Sequence, residues 1–212
     1  MDVCRSRSLR IVLQEFIPGS GAAAYSAYVT RDGRIAGDYS SRRVVLYPPD
    51  IGVCCLEVAQ RIPSVLEASR RLVRALGYNG APVNIDFKFD PRDRVWKLHD
   101  LNARSWLQIS LATLVGVPIF DLLLADYAGR PAPAAGPVRY GRSWLAVKEA
   151  LLLARAYPGR GPRPRDFARM LSSRFALGLF DVADLGPFFA DIAPLFLRRF
   201  ARKVATSASK RA

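Results

Sequence analysis

Histidine is almost missing from this chain: His99 is the single one in 212 residues. It has no Cys or His at ligand spacing, so no His-based metal pattern is present and His99 reads as structural. Cysteine is nearly as scarce. There are three, with Cys54 and Cys55 adjacent, which excludes a disulfide framework and a thiolate metal motif. A reducing cytoplasm is the expected setting. No apolar run reaches the roughly 18 residues that a transmembrane helix needs. The greasiest region, from Ile109 to Leu124, is interrupted by Gly116, Pro118 and Asp121. The first ten residues, Met1 to Arg10, are basic and lack an apolar core, so they do not read as a secretory signal. Acid is the scarcer charge: 18 Asp and Glu against 32 Lys and Arg give a formal net charge of +14. The excess is uneven. Residues 137–212 hold 15 basic and 5 acidic residues, so the surplus belongs to the C-terminal part.

Half of the chain is hydrophobic, enough for a core, and the length suits one large domain or one domain with an appendage. The most informative stretch runs from Pro82 to Trp106. Val83, Ile85, Phe87 and Phe89 alternate with Asn84, Asp86, Lys88 and Asp90, a period of two that reads as a strand with one apolar and one polar face. Asp90-Pro91-Arg92-Asp93-Arg94 is turn chemistry, and a second strand follows over Val95 to Ala103. A hairpin centred near Asp93 sets Asp86 opposite Asp100 and Asn84 opposite Asn102. Facing side chains stand roughly 4.5–5.5 Å apart at Cβ, and two facing carboxylates repel. A hard divalent cation removes that conflict, because Mg²⁺ takes oxygen ligands and is held by one or two carboxylates plus substrate phosphates. Asp86, Asp100 and the amide oxygen of Asn102 make a plausible ligand set. Arg104, two residues on, falls on the same side, where it suits a phosphate. The plainer alternative is a solvated polar hairpin face.

Ahead of this hairpin, Ile11 to Ile17 reads as a strand stopped by Pro18-Gly19-Ser20-Gly21. Ala22 to Thr30 is a second strand, Asp32-Gly33 a hairpin turn, and Arg34 to Leu46 continues as strand and loop. Arg42 and Arg43 are neighbours in that strand, so at most one of them enters any one site. Ile62 to Gly77 reads as a helix, with Pro63 at its start and Gly77 past its end. Trp106 to Gly129 reads as helix in two pieces broken near Gly116, and Trp106 is more often core than pocket lining. Pro131 to Pro137 reads as a linker. Beyond it, helices are expected over Trp144 to Tyr157, Asp166 to Phe180 and Phe188 to Val204. The expected division is therefore residues 1–136 and a basic helical tail, residues 137–212.

An acid before Phe on one strand (Asp86-Phe87), a short turn, then Asp100-Leu101-Asn102-Ala103-Arg104, resembles the metal-binding hairpin of the ATP-grasp superfamily. Asp stands where that family usually has its second Glu, and Ala where it has Pro. Gln14-Glu15-Phe16-Ile17-Pro18-Gly19 resembles the family's segment that links two lobes and meets adenine. The resemblance covers roughly Ile11 to Pro131. It implies an α+β fold, the C-terminal lobe of an ATP-grasp domain with an antiparallel sheet and packed helices. It implies ATP and Mg²⁺ (or Mn²⁺) as cofactors, with Asp86, Asp100 and Asn102 on the metal. Gln14, Glu15, Ile17 and Lys88 fall to the nucleotide. Arg104, and Arg42 or Arg43, meet phosphate or a small carboxylate substrate. The implied activity is ATP-dependent carboxylate–amine ligation through an acylphosphate. The family's other ATP lobe, with its glycine-rich phosphate loop, is not matched. The expectation is a truncated or split form, inactive alone and completed by a separate chain supplying that lobe. The rival expectation is a non-catalytic basic module whose tail binds nucleic acid or an anionic membrane.

Overall fold

The structure is a computed structural model, and it describes residues 12–50, 52–133 and 136–195. Its backbone is a seven-stranded sheet with helices on both faces, an α+β architecture. In chain order the elements are β1 (Ala22–Val29), β2 (Ile35–Tyr47), β3 (Val53–Ala59), α1 (Pro63–Ala75), β4 (Ala81–Asp90), β5 (Val95–Asn102), α2 (Ile109–Val115), α3 (Ile119–Tyr127), β6 (Ser143–Leu145), α4 (Val147–Ala156), α5 (Pro164–Leu171) and β7 (Phe175–Leu177). A further helical run covers 186–195. The strand order is β5-β4-β1-β2-β3-β6-β7.

Alternation decides what each face carries. On one face, Ala23, Tyr25, Ala27 and Val29 of β1 join Val83, Ile85 and Phe87 of β4, and α1 lays Val65, Leu66 and Val73 against them. α1 starts at Pro63, whose missing N–H costs nothing in the first turn. It stops before Gly77, whose φ of +61° suits a residue without Cβ. On the other face, Tyr28 and Tyr39 are covered by Leu111, Ala112 and Val115 of α2 and by Ile119 and Leu122 of α3. These two helices bend by 92° at the break between them, where Gly116 has φ +92° and Pro118 follows. Gly37 lies under this corner: a Cβ there would come within 2.9 Å of Val117. A third cluster, including Val45, Leu56, Leu153 and Met170, ties α4 and α5 to the sheet.

Three sequence expectations need correction. The segment expected as a strand over Ile11 to Ile17 forms no strand among its described residues 12–17. Val12, Leu13 and Phe16 are exposed, and only Ile17 is buried. β-Propensity without a neighbouring strand does not make one. The stretch after the linker is not purely helical: β6 pairs antiparallel with β3, and β7 pairs parallel with β6. The sheet as a whole is therefore mixed, while β1 to β5 pair antiparallel, as expected for the lobe. Strands of three residues show no readable period, and Asp166 to Phe180 divides into α5 and β7 where one helix was expected. The last expected helix is present over 186–195, and its continuation to Val204 lies outside the described residues.

Candidate functional site

The β4–β5 hairpin closes at Asp90 opposite Val95. From there the ladder runs regularly through Lys88 opposite Lys97 and Phe87 opposite Leu98, and then shifts by one residue. His99 is the extra residue of this β-bulge. Without it, Asp86 would face His99; with it, Asp86 faces Asp100 and Asn84 faces Asn102. The bulge also keeps Lys97, Asp100 and Asn102 on one face, since each bulge resets the alternation. The His99 carbonyl accepts a hydrogen bond from Gln14 Nε2 at 3.0 Å, so the lone histidine holds a backbone position.

Across this face β1 is nearly bare. Ala22, Ala24 and Ser26 lie between their partners on β2 (Arg43, Ser41, Tyr39) and on β4 (Lys88, Asp86, Asn84). Roughly 9–10 Å separate β2 from β4 over one intervening strand. With only methyl and hydroxymethyl groups in between, the Arg43 side chain crosses β1 and reaches β4. Its Nη1 donates to Asp86 Oδ2 at 2.8 Å, and its Nη2 lies 2.5 Å from Asp86 Oδ1 and 3.3 Å from Asn84 Oδ1. Asn84 spends its N–H groups on the Tyr25 carbonyl and the Ser26 hydroxyl. On β3, directly opposite Arg43, stands Glu57. It is 1% exposed, and its Oε1 accepts from the Ser41 hydroxyl at 2.6 Å. Its Oε2 has no hydrogen-bond partner and lies 4.0 Å from Arg43 Nε.

Electrostatics follow from burial. Desolvation raises the Glu57 and Asp86 carboxyls above their usual range, and the Arg43 guanidinium pulls each back. Burial works to lower Arg43, but Glu57 and Asp86 more than offset it and raise it further. Two carboxylates, Asp86 and Glu57, thus share one guanidinium, and Asp100 adds repulsion at Asp86. Asn102 donates its amide N–H to Asp100 Oδ2 at 3.0 Å, which leaves its carbonyl oxygen uncommitted to that pair. Among the described residues no three His, Cys, Asp or Glu side chains gather as a metal centre. Two facing acids flanked by amide oxygens fit a cation that also takes phosphate and water ligands, such as Mg²⁺. They do not fit an all-protein cage.

The sheet thus brings Asp86, Asp100, Asn102 and Arg43 together and places Lys88 on the same face, with its ammonium 3.2 Å from the Asp50 carbonyl. It does not bring Arg42 there. That guanidinium is on the opposite face, 5.4 Å above the Trp96 ring, and lines a cleft with Val58, Gln60 and Arg165, to whose lining Arg43 also contributes. Arg104 turns to the Ser105 carbonyl at 2.9 Å. Glu15 pairs with Arg92 and Lys97 near the hairpin turn, and Ile17 is buried. Sequence reasoning missed Glu57 and Ser41. A signal existed: Glu57 is the sole charged residue in Cys54-Cys55-Leu56-Glu57-Val58-Ala59, and a buried acid needs a partner.

No family model matches the chain, and no curated protein matches it. Solved structures do. A biotin carboxylase from Campylobacter jejuni, in complex with β,γ-ATP, is similar over 61% of this chain and 30% of that one, at 13% identity and a TM-score of 0.49. A phosphoribosylaminoimidazole carboxylase ATPase subunit from Aquifex aeolicus is similar over 58% and 37%, at 15% identity and 0.46. A pyruvate carboxylase from Rhizobium etli is similar over 58% and 13%, at 12% identity and 0.47. The chain therefore spans between 13% and 37% of the length of these three structures.

Proposed function

We propose that this chain carries the metal- and phosphate-holding lobe of an ATP-grasp-type, ATP-dependent carboxylate–amine ligase. The observation that carries the reading is the bulged register: a one-residue irregularity places two carboxylates face to face, beside two asparagines, on the polar face of the hairpin. Two facing carboxylates repel, and Arg43 is ion-paired with Asp86 alone of the two.

On this reading Asp86, Asp100 and the Asn102 amide oxygen hold Mg²⁺. The ion would neutralise the charge that builds up on the phosphates during transfer. Arg43 and Lys88 supply positive charge next to it, within a face whose far end is sealed by α2 and α3. Gln14, Glu15 and Ile17 belong to the segment that meets adenine. The γ-phosphoryl passes from ATP to an oxygen of the carboxylate substrate, releasing ADP, and an amine then displaces phosphate from the acylphosphate carbon. No side-chain nucleophile is required. The second wall of the nucleotide site comes from another lobe, on a longer polypeptide or a separate chain. That lobe would also cover Val12, Leu13 and Phe16, which are 83%, 84% and 76% exposed. Without it, calorimetric titration with Mg-ATP is expected to give weak binding, and sub-micromolar affinity for the chain alone would contradict this.

A second reading has its own observation. Arg155, Arg160, Arg163, Arg165 and Arg174 are exposed, and so are Leu171, Phe175, Leu179 and Phe180 in the same part of the chain. Basic and apolar groups side by side suit an anionic bilayer surface. Sedimentation with phosphatidylserine vesicles tests it: retention that disappears in 0.5 M salt, about a 4 Å Debye length, supports the reading, and no retention at low salt rejects it.

A further inference from the structure

The Arg43 side chain poses a difficulty for any cation at Asp86. It already donates to Oδ2 at 2.8 Å and lies 2.5 Å from Oδ1, so a metal ion at Asp86 competes with it for the same carboxylate. A buried guanidinium cannot simply be released. It needs acceptors, and its departure would strand Glu57, which is 1% exposed and has Arg43 as its ion-pair partner among the described residues.

The geometry points to Glu57 as the residue that resolves this, an inference that rests on the metal reading above. We propose that Glu57 is a positioning residue: when a divalent cation takes Asp86, the Arg43 guanidinium transfers to Glu57 Oε2, so that one arginine alternates between two acids. The observations fit such a handover. Glu57 stands opposite Arg43 in the β2–β3 ladder. Its Oε1 is anchored by Ser41, which fixes the carboxylate plane. Its Oε2 and Arg43 Nε both lack a hydrogen-bond partner, and they are 4.0 Å apart. A hydrogen bond between them needs a movement of only about 1 Å. Charge balances too. Asp86, Asp100 and Glu57 with Arg43 sum to two negative charges when ionised, which one divalent cation cancels. Ala22 and Ala24 leave the path along the sheet open, since neither carries more than a methyl group.

Titration of the full chain with Mn²⁺ alone, followed by the EPR signal of the free ion, tests this. Glu57→Gln removes the acid that takes the guanidinium, so Arg43 stays on Asp86 and Mn²⁺ binding weakens by about tenfold. Arg43→Met removes the competitor and tightens binding. The double variant then binds like Arg43→Met, because without the arginine Glu57 has nothing to hold. A Glu57 that merely supports the fold would weaken binding in both backgrounds, and that result, or unchanged binding in Glu57→Gln, overturns the proposal. Where Glu57→Gln fails to fold, the wild-type Arg43 Nε–H resonance decides: adding Mg²⁺ shifts it downfield if Nε gains the Glu57 acceptor, and an unmoved resonance under saturating Mg²⁺ sinks the idea. If wild type, Arg43→Met and Asp100→Asn all leave Mn²⁺ free, the metal reading itself has failed and the handover falls with it.

Discussion

Asp90 ends β4 with its side chain fully buried, and its partners favour the charged carboxylate. Arg92 Nε donates to it at 2.9 Å, the Arg92 backbone N–H at 3.0 Å, and Lys97 lies 2.7 Å away. Hydrogen bonds from Arg92, then Lys97, hold the carboxyl well below the usual range, against the opposing effect of desolvation. A depressed folded pKa means that the stabilisation is complete above the unfolded value of about 3.9 and is lost as pH falls through the folded one. Urea midpoints are therefore expected to drop between pH 5 and pH 2, and Asp90→Asn to lower the pH 5 midpoint and flatten that slope. An unchanged slope would remove Asp90 from the account. Burial acts in the opposite direction on the thiols, raising Cys55 to about 12 and Cys54 well above its ordinary value. Thiolate is the reactive form. Peptide mapping after iodoacetamide at pH 8 should find both residues unmodified in the native chain and both modified in urea.

At the scale of elements the hairpin dominates. Its strands were readable because their alternation is strict over Val83 to Asp90, and the facing of Asp86 with Asp100 followed from placing the turn near Asp93. The bulge at His99 was not readable. Pro91 to Arg94 forms a four-residue loop that shifts the centre by half a residue, and the bulge shifts it back, so two unseen details cancel. The tail strands were illegible for another reason. β6 and β7 have three residues each, and they exist because Trp144 and Leu145 are buried against neighbours distant in sequence. Packing of β4 gives a direct check. Ile85 is completely buried between β1 and α1, so Ile85→Ala should cost about 2–5 kcal/mol by urea unfolding. Leu76→Ala, 58% exposed, should cost within about 0.5 kcal/mol. Equal costs would mean that the β4–α1 contact is misplaced.

Over the whole molecule the sheet separates two jobs. One face is covered by α1. The other is sealed by α2 and α3 at one end and left polar at the other, where residues from β2, β3, β4 and β5 converge over small side chains on β1. Arg42 and Arg43 show the division in two adjacent residues, one against Trp96 and one against Asp86. Sequence alone could say that they part, but not which goes where, because the β2–β3 register is broken by irregularities between Arg43 and Leu46. Glu57 was overlooked because an acid within an apolar strand declares its partner only in three dimensions. No single helix among the described residues is long and apolar enough to cross a membrane.

The account depends on the pair of acids facing each other across the bulge. Mn²⁺ binding by wild type and by Asp100→Asn, compared by EPR at pH 7 with and without ATP, tests it most directly. Asp100 is exposed, so its substitution should leave the melting temperature within a few degrees. The account predicts Mn²⁺ affinity lower by at least about tenfold in Asp100→Asn, a loss of about 1.4 kcal/mol, with ATP strengthening binding only in the wild type. Equal Mn²⁺ binding by the two proteins, with or without ATP, would contradict it.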